Sequence, residues 1–163
     1  MEFDHIILSS KCLSVIRAIS RKARGIETGG PLVGYAGKNK TLFVVSASGP
    51  GPRASLERYS VVIDGVHAQK FCDRCRRESD GLIDYVGDWH KHPGISLRPS
   101  EHDISAIKTM ANFQHSPTKY PISLIYRICP EAWQVYVWDG SGSLAKIFST
   151  IDRVNRNQSG KNH

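Results

Sequence analysis

No stretch of the chain approaches the ~20 consecutive apolar residues that a membrane-spanning helix needs; uninterrupted runs are as short as Leu42-Phe43-Val44-Val45. The opening residues, Met1-Glu2-Phe3-Asp4-His5, lack a basic segment leading into an apolar one, so no secretory signal is expected. Self-similarity at a fixed period is absent, which excludes a repeat protein. Cysteine is scarce, with four in 163 residues, and without export these are not expected to pair as disulfides. Acidic residues are in deficit, 15 Asp+Glu against 22 Lys+Arg, for a net charge of +7. The excess base is dispersed, as in Arg17, Arg21, Lys22 and Arg24 or Arg74, Arg76 and Arg77, with no interleaved aromatics of the kind an RNA-binding surface carries. These groups read as solvated helix faces, and neither a nucleic acid nor a membrane is an expected partner. Apolar residues make up 40% of the chain, too many for disorder as the main state. One compact domain over residues 1–151 is expected, burying roughly two-thirds of its unfolded surface, with a flexible polar tail at 152–163.

The pair Cys72-x-x-Cys75 invites a zinc or redox reading. A closed structural site needs two further ligands, and the chain holds no second such pair. Ala68, Cys72, Cys75 and Ser79 share one face of a helical pattern, which predicts packing for both thiols.

Ile6-Ile7-Leu8 leads into Ser9-Ser10, good helix caps, and Cys12, Val15, Ile16, Ile19 and Ala23 then recur at helical spacing up to about Gly25. Strands are expected at Pro31–Ala36, Thr41–Ser48, Tyr59–Ile63 and Leu82–His92, and helices at about Val66–Glu78 and Glu101–Gln114. A late hairpin over Ile122–Ile128 and Trp133–Trp138 and a last strand at Leu144–Phe148 complete the pattern. Helices and strands intermix along the whole length, so the class is α/β (α+β) with a mixed sheet.

Chemistry concentrates in Trp89-His90-Lys91-His92-Pro93, followed after six residues by Ser100-Glu101-His102-Asp103. Residues i and i+2 of a strand project from one face, so His90 and His92 present two imidazoles side by side while Lys91 points away. Pro93 biases His92 toward extended backbone. Asp103 falls in the first turn of the next helix, where the helix dipole favours a carboxylate. Two imidazoles and one carboxylate suit a catalytic zinc with its fourth position left to water, hence hydrolysis of a polarised carbonyl. Each part has a plainer alternative. A lone His-x-His recurs by chance, and Ser100-x-x-Asp103 is also a helix capping box. His102 and His115 read as solvent-facing or helix-end residues. The chain lacks the HxHxDH continuation of a metallo-β-lactamase, the glutamate of a cupin, and the PCxxC of a zinc deaminase, since Phe71 precedes Cys72.

His90-x-His92-Pro93-x6-Ser100-x2-Asp103 resembles the JAMM motif of the JAB/MPN zinc metalloproteases at every position. Glu27-Thr28-Gly29-Gly30-Pro31-Leu32-Val33-Gly34-Tyr35 is similar to the segment that carries that family's catalytic glutamate. The likeness spans roughly Ile6 to Phe148 and implies a curved mixed sheet flanked by helices, with the layering of cytidine deaminases. It implies that His90, His92 and Asp103 ligate one Zn2+, that Glu27 is the general base, and that Ser100 hydrogen-bonds the oxyanion. The residues alone do not single out Glu27 among 15 acids; they offer an acid before Gly29-Gly30, where missing side chains let a substrate backbone come close. All five positions are intact, unlike in the family's inactive scaffold members.

The compact length is most similar to bacterial stand-alone members, which accompany E1- and E2-like proteins in antiphage operons of the CBASS or ubiquitin-like conjugation type. The resemblance therefore implies a cytoplasmic deubiquitinase-like isopeptidase acting on the extended C-terminal tail of a ubiquitin-like protein or a conjugated nucleotidyltransferase. Two alternatives stay open: trimming of a sulfur-carrier protein's C-terminus, and a binding module without catalysis.

Overall fold

The computed structural model describes residues 3–152. Ten strands and three helices follow one another as β1 (His5–Ser9), α1 (Ser10–Lys22), β2 (Thr28–Ala36), β3 (Thr41–Ala47), β4 (Ser55–Leu56), β5 (Val61–Val62), α2 (Gly65–Glu78), β6 (Asp84–Lys91), α3 (Glu101–Asn112), β7 (Ile122–Arg127), β8 (Ala132–Trp138), β9 (Leu144–Ile147) and β10 (Ser149–Asp152). None of the described helices is long and apolar enough to cross a membrane. Asp152, expected to begin the polar tail, ends β10; the remainder, 153–163, lies outside the described residues.

Helix starts follow side-chain chemistry. Ser9 caps α1 by accepting from the Cys12 N–H at 3.0 Å, and its own hydroxyl donates to the Val45 carbonyl, which docks the helix start on β3. Asp64 caps α2 by accepting from the amides of Val66 and His67. The last turns of both helices carry basic residues, Arg21 and Lys22 or Arg76 and Arg77, where the dipole favours them.

Eight strands form one sheet in the order β10-β1-β3-β2-β6-β7-β8-β9, mixing parallel pairs (β1 with β3 and β10, β6 with β7) and antiparallel ones. Its two outermost strands, β9 and β10, are joined through Phe148 alone, so the sheet curves until its margins nearly meet. On one face, Cys12, Leu13 and Ile16 of α1 pack against Leu32, Val44, Trp89, Leu124 and Val135 in the main core. On the other face, Cys72 of α2 meets Val33 and Tyr85, and Ile107 and Ala111 of α3 meet Trp138. Leu32 and Val33, neighbours on β2, serve opposite layers as strand alternation requires. Mixed sheet and helical layers match the expected class.

Three expectations are corrected. The strand expected at Tyr59–Ile63 is only Val61–Val62, paired with Ser55–Leu56 in a separate two-stranded ribbon. β10 has no counterpart in the expected pattern; its short polar-flanked segment becomes a strand by pairing with β1. The third concerns β6, which does not alternate regularly. Leu32 of β2 pairs with Gly87 and Val33 with Tyr85, leaving Val86 as an extra residue, a β-bulge. Gly87 has φ +152°, and a Cβ there would strike the Ile122 carbonyl. Because the bulge shifts the alternation by one, Tyr85, Asp88 and His90 face α2 and α3, while Val86, Trp89 and Lys91 face α1.

Candidate metal centre

β6 lies between β2 and β7, with His90 opposite Gly29 on one side and Ile125 on the other. The His92 N–H donates to the Tyr126 carbonyl at 3.1 Å, so pairing with β7 carries this residue in extended form past the strand's end. Trp89, fully buried and next to His90 in sequence, anchors the strand from the opposite face, and its indole N–H donates to the Ser48 carbonyl at 2.9 Å.

The two imidazoles and the Asp103 carboxylate converge. His90 Nε2 lies 2.9 Å from His92 Nε2 and 3.3 Å from Asp103 Oδ1, and His92 Nε2 lies 3.6 Å from Asp103 Oδ2. His92 Nδ1 is 3.1 Å from the Ser96 carbonyl, which can only accept, so the neutral ring carries its proton there and turns a lone pair at Nε2 inward. A tetrahedral ion with ligand bonds of about 2.0–2.2 Å spans edges of about 3.3–3.6 Å. The two distances to Asp103, one to each carboxylate oxygen, are of that length, and the imidazole pair is closer. Donor set and spacing are therefore compatible with a metal ion. Among the described residues this is the one such group of His, Cys, Asp or Glu.

Ser100 caps α3, and both halves of its capping box are present: its hydroxyl accepts from the Asp103 N–H, and Asp103 Oδ2 accepts from the Ser100 N–H at 2.6 Å. The Ser100 hydroxyl also lies 2.8 Å from Asp103 Oδ2 and donates to it. The plainer reading of this pair thus holds, and it positions the carboxylate. Burial would push the Asp103 carboxyl up, but the two imidazoles and the Ser100 amide hold it well below the usual carboxylate range. Burial likewise opposes protonation of His92, yet Asp103 outweighs it and moves that imidazole up.

Glu27 is buried just before β2, and its N–H donates to the Glu57 carbonyl at 2.8 Å. It lines a cavity of about 90 Å³ together with His90 and Asp103, so three of the five expected residues border one space, with His92 adjoining it through His90 and Ser100 through Asp103. Burial pushes the Glu27 carboxyl up, partly offset by His90 and His92. Gly29 and Gly30 do serve close approach, but by the protein itself: a Cβ on either would strike the carbonyl of Trp89 or Ser48. They let β2 sit tight against β6 and the following loop, which corrects the expectation of a substrate backbone there. Lys91, pointing away as expected, is 3% exposed and donates from Nζ to the Ala23 carbonyl at the end of α1. The same strand thus carries His90 on one face and holds the segment leading to Glu27 on the other.

Sequence patterns missed several lining residues. Val61, Ile63, Asp88 and Ser123 border the cavity, as does His102, which is exposed in the first turn of α3, in keeping with a solvent-facing or helix-end residue. Asp88 and Ser123 are neighbours across β6 and β7, a juxtaposition that only strand pairing creates. Cys72 and Cys75 are free thiols against the α2 layer, as expected, and burial pushes Cys72 up to about 12.

Comparison with known proteins places this geometry. The family model described as prokaryotic homologs of the JAB domain matches residues 9–151. The "Probable metalloprotease y4qB" of Sinorhizobium fredii is 29% identical over 131 residues, covering 78% of this chain and 80% of that protein. Proteins named CD-NTase/cGAS isopeptidase from Escherichia coli and Enterobacter hormaechei are 28% and 31% identical, covering 64% and 74% of this chain and 68% and 66% of theirs. The solution structure of protein DSY2949 from Desulfitobacterium hafniense shares the fold at a TM-score of 0.66 and 17% identity, covering 90% of this chain and 92% of that one. With a family model matching nearly the whole described chain, and the histidine pair and aspartate gathered in space, the protein belongs to the prokaryotic JAB family and is a JAMM-type hydrolase.

Proposed function

We propose that residues 1–151 form a zinc-dependent isopeptidase that releases a conjugated protein from its target by hydrolysing the bond after the conjugate's C-terminus. The observation that carries this reading is the convergence of three lone-pair-bearing atoms on β6 and α3 beside a buried glutamate. His90, His92 and Asp103 would hold the ion. When bound, zinc supplies Lewis acidity toward a carbonyl and brings water's pKa down toward ~7. Glu27 takes the proton of the attacking water and returns it to the leaving amine; burial raises its proton affinity, which suits both halves of that cycle. The Ser100 hydroxyl, turned from Asp103 Oδ2, donates to the developing oxyanion.

The relatives named CD-NTase/cGAS isopeptidase support a conjugated nucleotidyltransferase as the substrate. A ubiquitin-like protein as the alternative substrate, E1- and E2-like partners and a place in bacterial antiphage defence within the cytoplasm belong to the same proposal through the resemblance of the motif. The test is to measure zinc content and the cleavage of C-terminal fusions of a CD-NTase and of a ubiquitin-like protein. About one zinc per chain and cleavage at the fusion junction are expected, both lost to strong chelators. Undiminished cleavage in excess chelator would overturn the reading.

A further inference from the structure

Adjoining the metal centre, and sharing Ile63 and Asp88 with its cavity, is a second and larger one of about 460 Å³ between α2, α3 and the outer face of β6. Its walls are mostly apolar, with Ala68 and Cys72 on α2, Met110 on α3, and Phe113 just beyond. Asp88 stands where the two spaces meet. The Tyr85 hydroxyl donates to Asp88 Oδ2 at 2.9 Å, and among the described residues no lysine or arginine pairs with either oxygen. Arg76 lines the same cavity but is already taken: its guanidinium donates to both oxygens of Asp84 at 2.7 and 2.8 Å and lies 3.4 Å from Asp73.

We infer that this cavity is a specificity pocket for a long cationic side chain, lysine or arginine, of the substrate residue flanking the scissile bond, with Asp88 receiving its charge. The inference rests on the isopeptidase reading for the identity of its guest. Continuity with the metal centre through Asp88 places the pocket within one side chain's reach of the reacting bond. An apolar stem matches the walls, and a positive tip matches the carboxylate. A wholly apolar guest would strip water from Asp88 and offer it nothing in return, and an acidic guest would face it with like charge. The Tyr85 hydroxyl fixes one carboxylate oxygen and leaves the other to the guest.

The probes are n-butylguanidinium and its neutral isostere n-butylurea, titrated into the metal-loaded, isotopically labelled chain and followed by amide NMR shifts. The cation is expected to bind at least tenfold more tightly than the urea and to move the amides of Cys72, Tyr85, Asp88 and Met110. Asp88→Asn should bring the two probes within twofold of each other, and Ala68→Trp, which fills the cavity from α2, should abolish both. Equal affinity in the unmodified chain, a cation preference that survives Asp88→Asn, or no movement of those amides would overturn the assignment. The unmodified chain decides the point even if a variant does not fold. Because the titration needs no turnover, its outcome is independent of whether the isopeptidase reading stands.

Discussion

As the proposed general base, Glu27 must be a carboxylate to accept a proton and must stay close enough to neutrality to give it back. Burial among the imidazoles and β2 raises its pKa, so the acid limb of kcat/KM is expected above the usual glutamate range. The sign is the same for stability: an acid whose folded pKa is raised binds protons more tightly when folded, so its burial cost is felt at higher pH and relieved as pH falls through that pKa. Glu27→Gln should lower kcat/KM by about 10²–10⁴-fold with metal content unchanged; equal activity would remove Glu27 from the mechanism. Ser100→Ala removes a helix cap and a hydrogen bond to Asp103, so stability should drop by about 1 kcal/mol. Metal affinity should fall about 10–100-fold, measured by competition with a chromophoric chelator. The closeness of the imidazole pair and the cap formed by Ser100 with Asp103 were legible from spacing, because strand and helix periodicities place them locally, whereas their joint role was expected only through the resemblance to the JAMM motif. Glu27 was not: its place beside His90 comes from the pairing of Thr28 with Lys91, a contact between segments far apart in the chain.

β6 departs most from what its letters suggest. Leu82–His92 reads as an alternating strand, yet the bulge moves Tyr85 to the face of Asp88 and His90, opposite Trp89. Without that extra residue, Tyr85 would sit in the layer facing α1 and could not reach Asp88. Gly87→Ala should therefore cost at least about 2–3 kcal/mol in chemical denaturation, since a Cβ meets the Ile122 carbonyl and φ is positive. A change within 0.5 kcal/mol would mean that the bulge relaxes freely. The helices were legible to within a few residues because their caps and apolar stripes are local. β4, β5 and β10 were not, since two to four residues carry no period and become strands only through a partner.

For the whole molecule, the proposed metal binding and folding share the same groups. The three proposed ligands, from β6, its extension and α3, close together only in the folded chain, so an ion held there should stabilise it by mass action, about 4 kcal/mol at a thousandfold excess over Kd. At roughly 2–4 °C per kcal/mol for this size, zinc should raise Tm by about 8–16 °C over protein held in a chelator. An unchanged Tm would show that the residues do not grip an ion. The class and element order were legible as a whole, whereas the near closure of the sheet was not, because nothing local tells β9 and β10 that they are its margins. That placement leaves β6 with four strands on one side and three on the other. Deuterium should enter the outer strands long before it reaches the amides around His90. The rim can breathe, or even be clipped, while the hydrolytic apparatus keeps its shape, so partial opening in this protein need not silence it.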